Sequence, residues 1–171
     1  SIIYQELSLV GALSVGENIF LGDLPTRAGN WQVDWPAVWQ QSSELLQRVG
    51  LRVRPQTLVR ELGTGQSQMV EIARALHRKV KVLILDEPTS SLSTRETERL
   101  FEIVELLRSQ GVGIVYISHR LTEIFRIADR ATVLRDGTLV GTVPVADVTE
   151  DDLVRMMVGR DLSRLFAQAQ E

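Results

Sequence analysis

The sequence predicts an α/β fold, a parallel β-sheet wrapped by helices, and three observations carry that prediction. Short apolar runs suited to single strands lie at 80–85, 112–117 and 131–134, and residues with helical apolar spacing separate each from the next. Strand, helix, strand, helix, strand is the order of a parallel sheet with crossover helices. The run at 80–85 is almost unbroken, as for a strand buried on both faces, and it stops at Asp86 and Glu87, where Pro88 forbids the ladder to continue. Ligands in open α/β sheets bind at the carboxyl edge. Asp86, Glu87 and the His119 that follows the second buried strand are therefore expected to converge on one edge.

Composition narrows the class. A chain of 171 residues suits one domain, or one domain plus a small lobe, and 44% hydrophobic residues supports a real core. A net charge of −3 gives no bulk basic field, so nucleic acid is not an expected partner. With zero cysteines there are neither disulfides nor thiolate metal sites, which fits a reducing compartment. No apolar run approaches the roughly 20 residues that cross a bilayer. The chain opens Ser-Ile-Ile-Tyr, like the middle of a strand and unlike a signal peptide, so it reads as a segment of a longer protein.

Taken in order, Ser1 to Tyr4 is the stump of a buried strand. The glycine-rich stretch 7–30 is loop with a short helix near 15–20. Asp34 caps a helix with Pro36 in its first turn, and Trp35, Val38, Trp39, Leu45, Leu46 and Val49 recur at helical spacing until Gly50 ends it. Trp31, Trp35 and Trp39 either form a docking surface or pack inside a small helical lobe, and packing is the better reading. After a loop at 51–61, the turn Leu62-Gly63-Thr64-Gly65-Gln66 opens a helix that runs to about Arg78 and buries Met69, Val70, Ile72, Ala73 and Leu76. Such a turn offers backbone N–H groups and a positive dipole end to an anion. For the pentapeptide alone, a plain N-cap turn is the better reading. Ser93 and Glu96 form a capping box for a helix that buries Leu100, Ile103, Val104 and Leu107. A short helix spans 121–127, and Asp136-Gly137 marks a tight hairpin from 131–134 into 139–143. Thr149 begins a last helix with Leu153, Met156 and Met157 inside and Gly159 beyond it; the tail from Arg160 carries no strong signal.

The chemistry at the edge is that of a nucleotide triphosphatase. Phosphoryl hydrolysis needs a metal on the phosphates, a base for the attacking water and donors for the developing charge. Asp86 is a hard oxygen ligand suited to Mg²⁺. Glu87, pointing the other way at the strand end, can take a proton from water, and His119 can donate to a terminal phosphate oxygen. Gln5 can touch both metal and water. The phosphate loop G-x-x-x-x-G-K-[ST] does not occur: the only lysines are Lys79 and Lys81, and neither follows a glycine.

These motifs, in this order, resemble the nucleotide-binding domain of ABC transporters from Ile2 to about Leu162. On that resemblance Gln5 is the Q-loop glutamine, 62–66 the LSGGQ motif and Val82–Asp86 the Walker B strand. Glu87 is then the catalytic glutamate, 90–93 the D-loop and His119 the switch histidine. Segments such as Ile-Tyr-Gln-Glu-Leu-Ser-Leu-Val and Tyr-Ile-Ser-His-Arg-Leu look like bacterial sugar importers of the ribose, galactose and xylose type, which fuse two cassettes on one chain. The chain resembles the first cassette without its opening third. The resemblance implies a P-loop NTPase (RecA-like) core lacking the phosphate-loop strand, plus a small helical subdomain. Its organisation is then a Q-loop region at 1–30, a helical subdomain at 31–79, the RecA-like core at 80–150, and a C-terminal helix and linker at 151–171.

The resemblance further implies ATP and Mg²⁺ as cofactors, with Asp86 and Gln5 at the metal and Glu87 and His119 catalytic. Gln5, Gly63, Thr64, Gly65, Gln66 and Ser93 would touch nucleotide. The implied partners are a second cassette, a transmembrane sugar permease and, indirectly, a periplasmic sugar-binding protein. The implied location is the cytoplasmic face of the cell membrane, peripherally bound. Two residues depart from the family pattern: Gly63 stands where a serine is usual, and Ser93 where aspartate or threonine is common. Without the phosphate-loop strand, two strand edges lose their partner, so association or altered pairing is expected, and the segment alone is expected to be inactive. The competing readings are a non-enzymatic remnant and a soluble cassette ATPase with no transport role.

Overall fold

A computed structural model of the protein describes residues 2–3, 9–27 and 32–159. Gln5, Trp31 and the tail from Arg160 lie outside the described residues. The chain divides into two compact units, Ser1–Ile117 and Ser118–Glu171.

The first unit contains a helical lobe. Helix α1 (Val15–Ile19) is held at its start by a capping box, in which Ser14 accepts from the Glu17 N–H and the Glu17 carboxylate accepts from the Ser14 N–H at 2.8 Å. Five residues are too few to be helical on propensity alone, so burial of Val15, Ile19 and the following Phe20 holds α1 in place. Asn18 is also fully buried. Its Oδ1 accepts from the Val10 N–H at 2.8 Å, and its amide donates to the Val10 and Ser14 carbonyls at 3.1 and 2.9 Å. One side chain thus satisfies the backbone of the loop that leads into α1.

Helix α2 (Trp35–Arg48) begins at Asp34, whose carboxylate accepts from the Ala37 N–H. Val38, Leu45, Leu46 and Val49 are buried, as their spacing predicts. The Trp39 ring lies against Gly16, where a Cβ would stand 2.7 Å from it, so only glycine fits at that crossing. Trp35 stacks on Trp39 with ring centroids 5.2 Å apart but is 39% exposed. Packing therefore describes Trp39, while Trp35 sits at the rim. Helix α3 (Thr64–His77) buries all five apolar residues expected of it.

The same unit holds a parallel sheet of strands β1 (Ile2–Ile3), β2 (Val82–Asp86) and β3 (Gly113–Ile117), in the order β1-β2-β3. Helix α4 (Thr94–Ser109) starts at the Ser93–Glu96 capping box and buries Leu100, Ile103, Val104 and Leu107, together with Phe101. The Phe101 ring meets Tyr116 of β3 at 6.4 Å. Tyr116 pairs in register with Leu85, so the face carrying Leu83 and Leu85 is the one α4 covers.

Burial on both faces, expected for 80–85, and a second buried strand, expected at 112–117, are not what the strands show. Leu83 and Leu85 are buried, but Val82, Val115 and Ile117 are 48%, 49% and 47% exposed. An apolar run reports the chemistry of both faces and not whether a second layer covers them. Among the described residues, α4 packs on one face and β3 ends the sheet. The chain also enters β2 two residues later than expected, after turning at Lys79 with φ 46°.

The second unit begins after β3. Helix α5 (Leu121–Ile127) matches its expected span, and strands β4 (Arg130–Arg135) and β5 (Thr138–Pro144) form an antiparallel pair. Their turn has φ 50° at Asp136 and φ 75° at Gly137, the two positive values of a type I′ hairpin. The third expected strand therefore lies in a hairpin; among the described residues it pairs with β5 alone. Helix α6 (Glu150–Val158) is capped by Thr149 with Asp152, and its Leu153 is buried against the hairpin. Met157, expected inside, is 38% exposed, because a two-stranded hairpin is too narrow to cover the whole helix face.

Candidate functional site

The carboxylate pair sits where the sheet ends. Asp86 closes β2 in register with Ile117, the last residue of β3. The Glu87 N–H donates to the Ile117 carbonyl at 2.9 Å, one further rung after the strand itself has stopped. Glu87 then takes φ 44°, in the left-handed region. A non-glycine residue there costs about 1–2 kcal/mol. The following Pro88 further restricts this backbone. The direction of the Glu87 side chain, expected from strand alternation, is therefore not set by that alternation. The left-handed kink sets it, by swinging the chain into a turn that the Ser90 N–H closes on the Glu87 carbonyl at 3.2 Å.

The turn at 62–66 lies beside the segment that follows the carboxylates. Gly63 is the N-cap of α3 with φ −70° and ψ 163°, and the Gln66 side chain accepts from its N–H at 3.1 Å. Half of a capping box is present; glycine has no side chain to supply the other half. The amides of Thr64, Gly65 and Gln66 lack intrahelical acceptors, as at every helix start. A Cβ on Gly65 would stand 2.9 Å from the Glu96 carboxylate, so this glycine permits the start of α3 to approach the start of α4 closely. That carboxylate in turn accepts from the Ser93 N–H and hydroxyl. One turn on, the Ser91 hydroxyl donates to Gln68 at 3.3 Å. Gly63, Thr64, Gly65, Gln66 and Ser93 are thus brought together.

His119 belongs to the second unit. The residues on either side of it, Ser118 and Arg120, are both held by Glu123 of α5. Gln5 lies outside the described residues. Sequence reasoning passed over Asn18, Gln68, Glu71 and Glu123, all polar and all buried. The spacing of Gln68 and Glu71 along α3, within an apolar helix, was the available signal for two of them.

Among the described residues, no group of three or more His, Asp or Glu side chains comes together to hold a metal ion. The donor set still fits Mg²⁺, which is bound by one or two carboxylates plus substrate phosphates and not by an all-protein cage. No described helix is long and apolar enough to cross a membrane.

A family profile described as ABC transporter matches residues 1–90 of the chain. The chain belongs to the ABC transporter family. Among its curated relatives, the xylose import ATP-binding protein XylG of Moorella thermoacetica is 49% identical over 97% of this chain and 32% of its own length. The ribose import ATP-binding protein RbsA of Caldanaerobacter subterraneus subsp. tengcongensis is 48% identical over 97% of the chain and 33% of its own length. RbsA 1 of Rubrobacter xylanophilus is 53% identical over the same shares. The chain spans about a third of the length of the curated relatives it matches. Two solved structures share the fold at a TM-score of 0.71 each, over 84% of this chain and 62% of theirs. One is the ATP-binding cassette MJ0796 in a dimeric post-hydrolysis state bound to ADP and Pi, 23% identical. The other is a dimeric structure of MJ0796 described as a bacterial ABC transporter cassette, 21% identical. The α/β fold of the P-loop NTPase class, expected from the sequence, is the fold of this ABC family member.

Proposed function

We propose that this chain is the hydrolytic part of an ATP-binding subunit that energises a bacterial sugar importer. The observation that carries the reading is the Asp86–Glu87 pair at the carboxyl end of a parallel strand, with Glu87 fixed in a left-handed turn. In this reading Asp86, with Gln5, would hold Mg²⁺, which would supply positive charge against the phosphates. Glu87 orients the attacking water and takes its proton. His119 donates a hydrogen bond to the terminal phosphate. The amides of Thr64, Gly65 and Gln66, at the positive end of α3, receive the phosphates of a nucleotide held on a second cassette. Ser93 lines that same boundary. The relatives are named as import ATP-binding proteins for xylose and ribose, which supports a sugar permease as partner, a peripheral place on the cytoplasmic membrane face, and a periplasmic binding protein upstream. Regions 1–30, 31–79, 80–150 and 151–171 would then be the Q-loop, helical, catalytic-core and C-terminal parts.

The test uses a protein of the relatives' full length that carries this sequence. It is expected to hydrolyse ATP only with a divalent cation. Asp86→Asn should raise the Mg²⁺ concentration needed for half-maximal rate by about tenfold or more, the size of one charge-assisted contact. Hydrolysis whose Mg²⁺ requirement is unchanged by that substitution would overturn the assignment of Asp86.

A further inference from the structure

We infer that Glu123 is the positioning residue for His119, a role that rests on the proposed function of that histidine. Glu123 is only 5% exposed, although it is a carboxylate in the first turn of α5. A buried carboxylate is retained only where it is paired and hydrogen-bonded, and two of its partners here bracket one residue. The Ser118 hydroxyl donates to Glu123 Oε2 at 2.9 Å. The Arg120 guanidinium lies 3.6 Å from Oε1. Ser118 Oγ also accepts from the Arg120 N–H at 3.0 Å, and the Glu123 N–H donates back to the Arg120 carbonyl at 3.1 Å. The residue before His119 and the residue after it are therefore tied to one carboxylate and to each other. His119 lies between these two residues in the chain.

The arrangement has a functional logic. A histidine that must meet a phosphate oxygen gains from a backbone fixed before the nucleotide arrives, because ordering it at the moment of reaction would cost rate. Glu123 supplies that order without touching the nucleotide itself. Ser118 is the joint through which it acts, since its single hydroxyl both donates to the carboxylate and accepts from Arg120.

The experiment is a double-mutant cycle in the protein of full relative length. Glu123→Gln keeps the shape and removes the charge; Ser118→Ala removes the joint and leaves the carboxylate. Each is expected to lower kcat about five- to tenfold with KM for ATP changed less than twofold. Each effect should vanish in a His119→Ala background, where there is no histidine left to position. Effects that multiply with that of His119→Ala overturn the proposal and leave Glu123 as packing alone. If His119→Ala is itself without effect, the functional reading of His119 fails, and histidine ring NMR then decides the structural claim. A ring signal assigned by its loss in His119→Ala should move and broaden in Glu123→Gln, and an unmoved signal overturns the inference.

Discussion

Glu87→Gln is expected to lower ATP hydrolysis by the full-length protein by about 10²–10⁴-fold, the range for loss of a general base. ATP binding should survive, because glutamine keeps the shape of the side chain and Glu87 is not placed on the phosphates. The backbone sharpens this test. Glu87 is held at φ 44°, where glycine is free of the penalty that a side chain carries. Glu87→Gly should therefore abolish hydrolysis without a large fall in melting temperature, because relief of about 1–2 kcal/mol of strain outweighs about 0.5–1 kcal/mol of added backbone entropy and offsets part of what the lost side chain contributes. A residue kept for stability would show the opposite pair of results: activity retained and melting temperature lowered. Either outcome is read by a phosphate-release assay beside a thermal melt.

Gly63→Ser carries the second large effect, and it is a gain. A Cβ at position 63 meets nothing within 4 Å, and φ −70° suits any residue. Serine there costs no strain, and its stability effect should stay within a few tenths of a kcal/mol, the difference between serine and glycine as N-cap. The new hydroxyl can accept from the Gln66 N–H, completing the capping box, and still donate its proton to a phosphate on the opposing cassette. One added charge-assisted hydrogen bond is worth about 1.5–3 kcal/mol. The KM for ATP should accordingly fall by about tenfold or more, with the melting temperature nearly constant. An unchanged KM would mean that the start of α3 does not meet nucleotide.

What the sequence told in advance was local. Asp34, Ser93 with Glu96, Thr149 with Asp152, and Asp136-Gly137 all act within a few residues of themselves, and each stands where expected. The Ser14–Glu17 box, equally local, stands at the start of the short helix expected near 15–20, although the box itself was not singled out. The exposure of Val82, Val115 and Ile117 was not legible, because it depends on what covers the sheet and not on the strand's own residues. The buried polar residues were missed for the same reason. Asn18 and Glu123 look like surface residues until the backbone groups and side chains they satisfy are brought to them. At the site, the identities of Asp86 and Glu87 were readable, but the left-handed backbone of Glu87 was not, since pattern reasoning carries a strand's alternation one residue too far.

In the proposed function, this sequence holds groups for the metal, the water and the terminal phosphate, but not the lysine-bearing loop that grips the nucleotide. Mg-ATP binding by this chain of 171 residues, beside a chain of the relatives' full length, tests that most directly. Micromolar affinity is expected for the long chain and binding at least about 10²-fold weaker, or none, for the short one, on the order of 3 kcal/mol of lost grip; equal affinity in both would overturn the proposed division of labour.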